Sequence, residues 1–412
     1  MSLIKNSMWN LGGFIIPTLV AIPSLGLLAR YLGTEKFGLF TLAFAIVGYA
    51  SIFDAGLTRA VIREIAINRN SKEEQRRIIS TSTVSIGVLG CVAALFIYIT
   101  IPSVQSLLNI SEVSNSDAEL AFKILALSIP VFLLNQVWLA YLEGHELFAN
   151  INIQRVISNS CIAGLPTIFA LYSATLTMAI AGLLLGRLIS LFISFWFCRK
   201  IITHSGLLFD QSTLKRLIKF GGWMTVSNII SPMMVYFDRF IISNMLGANQ
   251  VAYYTAPSEG VSRALNVPSA LARALFPKLS KASNKSEKMH LEKISYFLIA
   301  SVCCPMILLG FIYAQEIMVL WMGSEYADEP VIILRILLVG FLFNALAQIP
   351  FSKIQAAGKA HITAILHACE LLPYLALLYF LSSNYFLIGV AISWSIRVTV
   401  DFVLLYSCAK NI

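Results

Sequence analysis

Arginine is the residue type whose placement in this chain could do chemistry. Arg187 falls near the middle of a long apolar run, Arg263, Arg239, Arg397 and Arg335 interrupt others, and Arg30, Arg59 and Arg273 stand at the ends of such runs. Holding a charge in hydrocarbon costs about 3 kcal/mol or more, so a retained arginine faces a wet cavity or a partner. Its planar guanidinium offers two parallel donors to a phosphate or carboxylate. A cavity lined by these side chains would take up an anion and receive an organic cation poorly. The acids in the same runs, Asp54, Asp238, Glu259, Glu370 and Asp401, are candidates for H+ or Na+ coupling if uptake follows an ion gradient. Glu259 with Arg263, and Arg397 with Asp401, are spaced i, i+4, which suits plain ion pairs on one helix face equally well.

Other chemistries find no support. There is no phosphate-loop motif GxxxxGK[ST]. The histidines form no cluster, and the nearest approach to a relay is His367 with Glu370 one turn on. The seven cysteines sit in or beside apolar runs without metal-ligand spacing and read as packing residues. Neither a catalytic set, a metal site nor a cofactor is expected, so the chain does not read as an enzyme.

The elements that must position these charges are membrane helices. Of 412 residues, 58% are hydrophobic and 12% charged, with a mean hydropathy of +0.78, far from the balance of a soluble domain. Crossing about 30 Å of hydrocarbon takes about 20 apolar residues, and twelve runs of that kind follow one another from residues 9–30 to residues 386–408. The fold class is therefore all-α and polytopic. Basic residues such as Arg69, Lys72, Arg76 and Arg77 fill alternate loops, whereas the loops between carry Glu112, Asp117, Glu325 and Asp328. The positive-inside rule then puts both termini in the cytoplasm. The net charge of +9 follows from this topology and not from a nucleic-acid face, which would need a basic stripe interleaved with aromatics.

The chain also repeats itself. A shift of 214 positions lays residues 3–60 on 217–274 without a gap, with fourteen identities that include Trp9/Trp223, Leu32-Gly33/Leu246-Gly247 and Arg59-Ala60/Arg273-Ala274. Two tandem six-helix lobes follow, residues 1–200 and 217–412, in like orientation and related by an axis along the membrane normal. Residues 201–216 form the cytoplasmic linker, where Ser212 or Thr213 could cap a short interfacial helix with Lys215 and Arg216 on its polar face. Prolines in the repeated segments, Pro17, Pro23, Pro232 and Pro257 among them, mark places where helices could bend in an alternating-access cycle.

The run RYLGTEKFGLF from Arg30, the run FDAGL from Phe53 with Arg59 after it, and in the second copy YFDRFIISNMLG from Tyr236 and FPKLS from Phe276 resemble the polysaccharide-exporting flippases of the O-antigen type (Wzx). That family lies in the superfamily that also holds the MATE drug exporters and the lipid II flippases, and the resemblance covers the whole length. It implies movement of an undecaprenyl-pyrophosphate-linked oligosaccharide repeat unit across the bacterial inner membrane. The pyrophosphate and sugars would ride in a central cationic cavity and the lipid tail among membrane lipids. Polysaccharide polymerase and chain-length regulator are the protein partners it implies. A MATE-like cation-coupled multidrug antiporter is the alternative, disfavoured by the arginines. A membrane glycosyl polymerase would need a large outer loop that this sequence lacks.

Overall fold

The computed structural model describes residues 2–206, 208–272, 285–357 and 359–410, and Arg273 lies outside them. Among the described residues the chain is helical from end to end with no strand. The long helices are α1 (Ser2–Ala50), α2 (Leu57–Ile67), α3 (Lys72–Leu107), α4 (Glu112–Gly144), α5 (Phe148–Tyr172) and α6 (Leu176–Ser205). After them come α7 (Gln211–Leu246), α8 (Ala248–Ala264), α9 (Lys285–Ile312), α10 (Ala314–Met322), α11 (Glu329–Ala356) and α12 (Ala360–Lys410). The protein is a multi-pass membrane protein. Among the described residues seven stretches, from Ile16–Asp54 to His361–Lys410, are long and apolar enough to cross a bilayer. The first and last of these each contain two of the runs seen in the sequence. On α3, Val88, Val92, Leu95, Phe96 and Ile99 are all exposed, an apolar stripe of the kind a membrane helix turns toward lipid.

The two longest helices are each broken once. In α1 the break is Gly33, at φ 74° and ψ 171°. Its repeat counterpart Gly247 ends α7 at φ 98° and ψ 160°, so the second copy repeats the backbone turn as well as the residue. Only glycine visits this region without strain. In α12 the break is Phe386, at φ 50°, and the chain doubles back there. A Cβ on Gly389 would lie 2.0 Å from the carbonyl oxygen of Leu381, eight residues earlier and about 12 Å away in a straight helix.

Packing gathers the chain into two compact units, Met1–Asn249 and Gln250–Ile412. The core of the first joins Leu57, Val61 and Ile65 of α2, Ile78 and Ile86 of α3, Ile129 and Leu133 of α4, and Leu217 of α7. In the second, Ala347 and Ile354 of α11 meet Leu405 and Ala409 of α12.

Although α7 opens the second sequence copy, it packs within the first unit and is fastened there at both ends. At one end Ser243 Oγ donates to the Leu108 carbonyl at 2.7 Å and Asn244 Nδ2 to that of Leu107 at 2.9 Å. At the other, Arg216 pairs with Glu64 of α2 at 3.0 Å and with Glu74 of α3. Gly56 crosses so close to α7 that a Cβ there would sit 2.0 Å from the Gly221 oxygen. The N-cap of α7 is Asp210, whose carboxylate accepts from the Thr213 amide at 2.9 Å, and not Ser212 or Thr213. A carboxylate outcompetes a neighbouring hydroxyl for free helix amides because charge strengthens the bond, and both hydroxyls donate to it in turn.

Candidate functional site

A deeply buried arginine lies inside the first unit, among α4, α5 and α6. Arg187 is 6% exposed and follows Gly186 on α6. A Cβ on Gly182 would come within 2.6 Å of the Leu165 oxygen, and one on Gly186 within 3.0 Å of Ile162 Cα. Small residues on that face therefore let α6 lie tightly along α5, and Arg187 projects beside the seam. Its guanidinium carbon stands 5.2 Å from the centre of the Phe132 ring on α4. The Nε and Nη1 atoms are buried without a hydrogen-bond partner. Leaving such donors unmet costs about 1–3 kcal/mol each, more when charged.

Those donors line a cavity of about 470 Å³ among α4, α5 and α6. Its walls combine the apolar side chains of Phe132, Leu139 and Ile162 with Arg155 and several amides and hydroxyls. Gln154 donates to Ser190 Oγ at 2.9 Å, Ser194 Oγ donates to Asn135 Oδ1 at 2.6 Å, and Ser158 Oγ is a further buried atom with no partner. No carboxylate is among the lining residues. A roomy chamber with buried polar groups has space and partners for water or a ligand, and its net positive charge favours negative charge within it.

A second cavity, of about 360 Å³, adjoins it and shares Phe132, Gln136 and Arg155 with the first. Its charged walls are Asp54, Arg59, Glu143 and Arg155. Asp54 has a local task as well, accepting from the Thr58 amide at 3.1 Å and the Thr58 hydroxyl at 2.8 Å, so it caps α2.

Arg187 and Arg59 are thus placed in neighbouring chambers of the first unit. Arg239, on α7, is also buried; it lies 5.3 Å over Tyr236 and donates to the Thr41 carbonyl at 3.3 Å, while Asp238 beside it accepts from the Arg239 amide at 2.7 Å. Arg30 is exposed at the Gly33 turn. In the second unit Arg263 pairs with Glu259 at 3.3 Å, one helical turn away as the spacing suggests. Arg335 donates to the Phe311 carbonyl at 3.2 Å. Arg397 lies 5.3 Å over Tyr374, within electrostatic reach of Glu370. Asp401 meets His367 across the two arms of α12, at 3.5 Å, a contact that the i, i+4 spacing from Arg397 did not indicate. Among the described residues no group of His, Cys, Asp or Glu is arranged to hold a metal ion.

Reading the sequence missed Arg155, Gln154, Asn135, Gln136 and Ser158. The clue was there in the fifth apolar run, where Gln154 and Ser158, and Arg155 and Asn159, recur four apart. That polar stripe is also why α5 is not among the seven most apolar stretches.

A family model described as polysaccharide biosynthesis protein matches residues 3–283. A Shigella flexneri protein named "Putative O-antigen transporter" is 54% identical over 98% of this chain and 97% of its own length. The lipopolysaccharide biosynthesis protein WzxC of Escherichia coli (strain K12) is 22% identical over 87% of this chain and 71% of its own. Among solved structures, the lipid II flippase MurJ in an inward closed conformation superposes with a TM-score of 0.80 at 16% identity, over 98% of this chain and 87% of that one. An inward-facing MATE-family multidrug resistance transporter of the MOP superfamily gives 0.79 at 18% identity, over 98% and 97%.

Proposed function

Because the chain belongs to the polysaccharide biosynthesis protein family, we propose that it is an O-antigen-type flippase. It carries an undecaprenyl-pyrophosphate-linked oligosaccharide repeat unit across the bacterial inner membrane by alternating access, with both termini in the cytoplasm. The single observation that bears most on this reading is Arg187, a buried cation with unmet donors in a polar chamber free of carboxylates. A site built that way suits a phosphate-bearing headgroup and repels the cationic drugs an antiporter would carry.

Interactions made with the headgroup replace those it makes with water, so the polar part crosses without entering hydrocarbon. Gln154, Asn135, Ser190 and Ser158 supply donors and acceptors of the kind sugar hydroxyls need. Arg263, Arg239, Arg397, Arg335, Arg30, Arg59 and Arg273 complete the set of candidate substrate contacts. Asp54, Asp238, Glu259, Glu370 and Asp401 remain the candidate H+ or Na+ sites. The test is a deletion strain, which should accumulate lipid-linked repeat units on the inner leaflet and lose surface polysaccharide. The wild-type protein should restore both and Arg187→Gln should not. Normal polysaccharide in the deletion strain would refute the proposal.

A further inference from the structure

We infer that the two chambers of the first unit are two stations of one oxyanion path, with Arg155 shared between them and the Arg187 chamber as the tighter seat. This rests on the flippase reading for its purpose but not for its chemistry. Arg155, Gln136 and Phe132 belong to the walls of both chambers, so an anion leaving one meets the same guanidinium on entering the other. The charges differ between the two. Asp54 and Glu143 offset Arg59 and Arg155 in the smaller chamber, whereas Arg187 and Arg155 face no carboxylate in the larger. An anion therefore gains more by moving to Arg187, where burial also lowers the local dielectric.

The helix positions set the order. Both chambers reach Phe132 on α4, but only the smaller extends out to Glu143, next to last in that helix (Glu112–Gly144), whereas the larger stops at Leu139, four residues or about 6 Å further in. The smaller chamber is the mouth and the larger the interior. At about 470 Å³ the interior falls toward the small end of ligand sites, about 300–1,000 Å³. It takes a headgroup fragment, not a whole repeat unit. The ligand class is a phosphate or carboxylate group, whether the lipid's pyrophosphate or an acidic sugar of the glycan.

The test is equilibrium binding of inorganic pyrophosphate, of glucuronate and of uncharged glucose to the purified full-length protein in nanodiscs. Saturable binding of pyrophosphate assigns the site to the lipid linker and of glucuronate alone to an acidic sugar; glucose should not bind at comparable concentration. Arg187→Gln should weaken the preferred ligand at least tenfold, and Arg155→Gln, at an exposed position that folding tolerates, about three- to tenfold. Glu143→Gln should tighten it about threefold by removing a counter-charge from the mouth, and Lys200→Gln, at the exposed end of α6, should change nothing. The inference falls if neither anion binds saturably, if glucose binds as well, or if Arg155→Gln and Glu143→Gln both leave the Kd unaltered. Failure of polysaccharide export in cells with these binding results intact would sink the flippase reading alone.

Discussion

Arg187 and Arg397 each interrupt a long apolar run and meet opposite surroundings. Each lies eleven residues before a cysteine, Cys198 or Cys408, and each guanidinium rests over an aromatic ring, Phe132 at 5.2 Å or Tyr374 at 5.3 Å. Around Arg187 stand amides, hydroxyls, apolar side chains and Arg155, and no acid. Around Arg397 stand Glu370 and Asp401, with His367 bound to the latter. In each region the neighbouring positions decide whether the cation is matched by acids within the protein or stands without one.

The comparison breaks most sharply in stability against activity. Arg397→Ala strips the cation from two buried acids and should cost about 3 kcal/mol, since breaking a buried charge pair leaves its partner uncompensated. Arg187→Gln removes a desolvated charge that no acid matches, so thermal unfolding in detergent should be unchanged or shifted upward while polysaccharide export falls at least tenfold. Equal melting losses for the two variants would show that the surroundings do not differ as described.

A backbone contrast comes next. Alanine at Gly389 would drive its Cβ into the Leu381 carbonyl at 2.0 Å, whereas at Gly33 it would meet nothing within 4 Å and suffer only the positive φ. Gly389→Ala should therefore abolish accumulation of folded protein. Gly33→Ala should cost about 2 kcal/mol, because backbone at φ 74° and ψ 171° is nearly closed to residues with a Cβ, read from the melting temperature. Smaller still is the effect of making the first unit resemble the second. Asn135→Asp puts a carboxylate of the same size into the wall of the Arg187 chamber and should cut export about tenfold, or about 1.4 kcal/mol, with the fold intact.

The least effect concerns pH. His145, between α4 and α5, contacts Gln75 Oε1 at 3.2 Å; burial and then Arg69 hold its pKa below the ordinary histidine value. The folded protein thus prefers the neutral ring. That contribution is complete above the unfolded value of about 6.5 and is lost as the pH falls below it, because the unfolded chain then binds the proton more readily. His145→Gln should flatten the acid side of the stability profile without changing neutral-pH stability appreciably.

Much of this was legible residue by residue. The paired Leu-Gly steps at Gly33 and Gly247 announced two copies, and both turned out to be left-handed turns. Arg187 drew notice because no acid lies near it on its own helix. Arg155 did not, because its place among other basic residues suggested topology and nothing more. The pairing of Asp401 with His367 depends on the reversal at Phe386, which helical spacing does not encode. Asp210 was overlooked as the cap of α7 because two hydroxyl residues stood in the expected place.

Composition and periodicity by themselves determined that this is a helical membrane protein built twice over, since hydrocarbon tolerates little but helices with internally satisfied backbones. They also isolated the arginine worth asking about. That its chamber is made by α4, α5 and α6 of one unit, that Arg155 joins it to a second chamber, and that α7 packs with the first unit were settled only by tertiary structure. A cavity belongs to no single helix; it is the space left where three of them fail to fill the volume between them, and the sequence of each shows only its own wall.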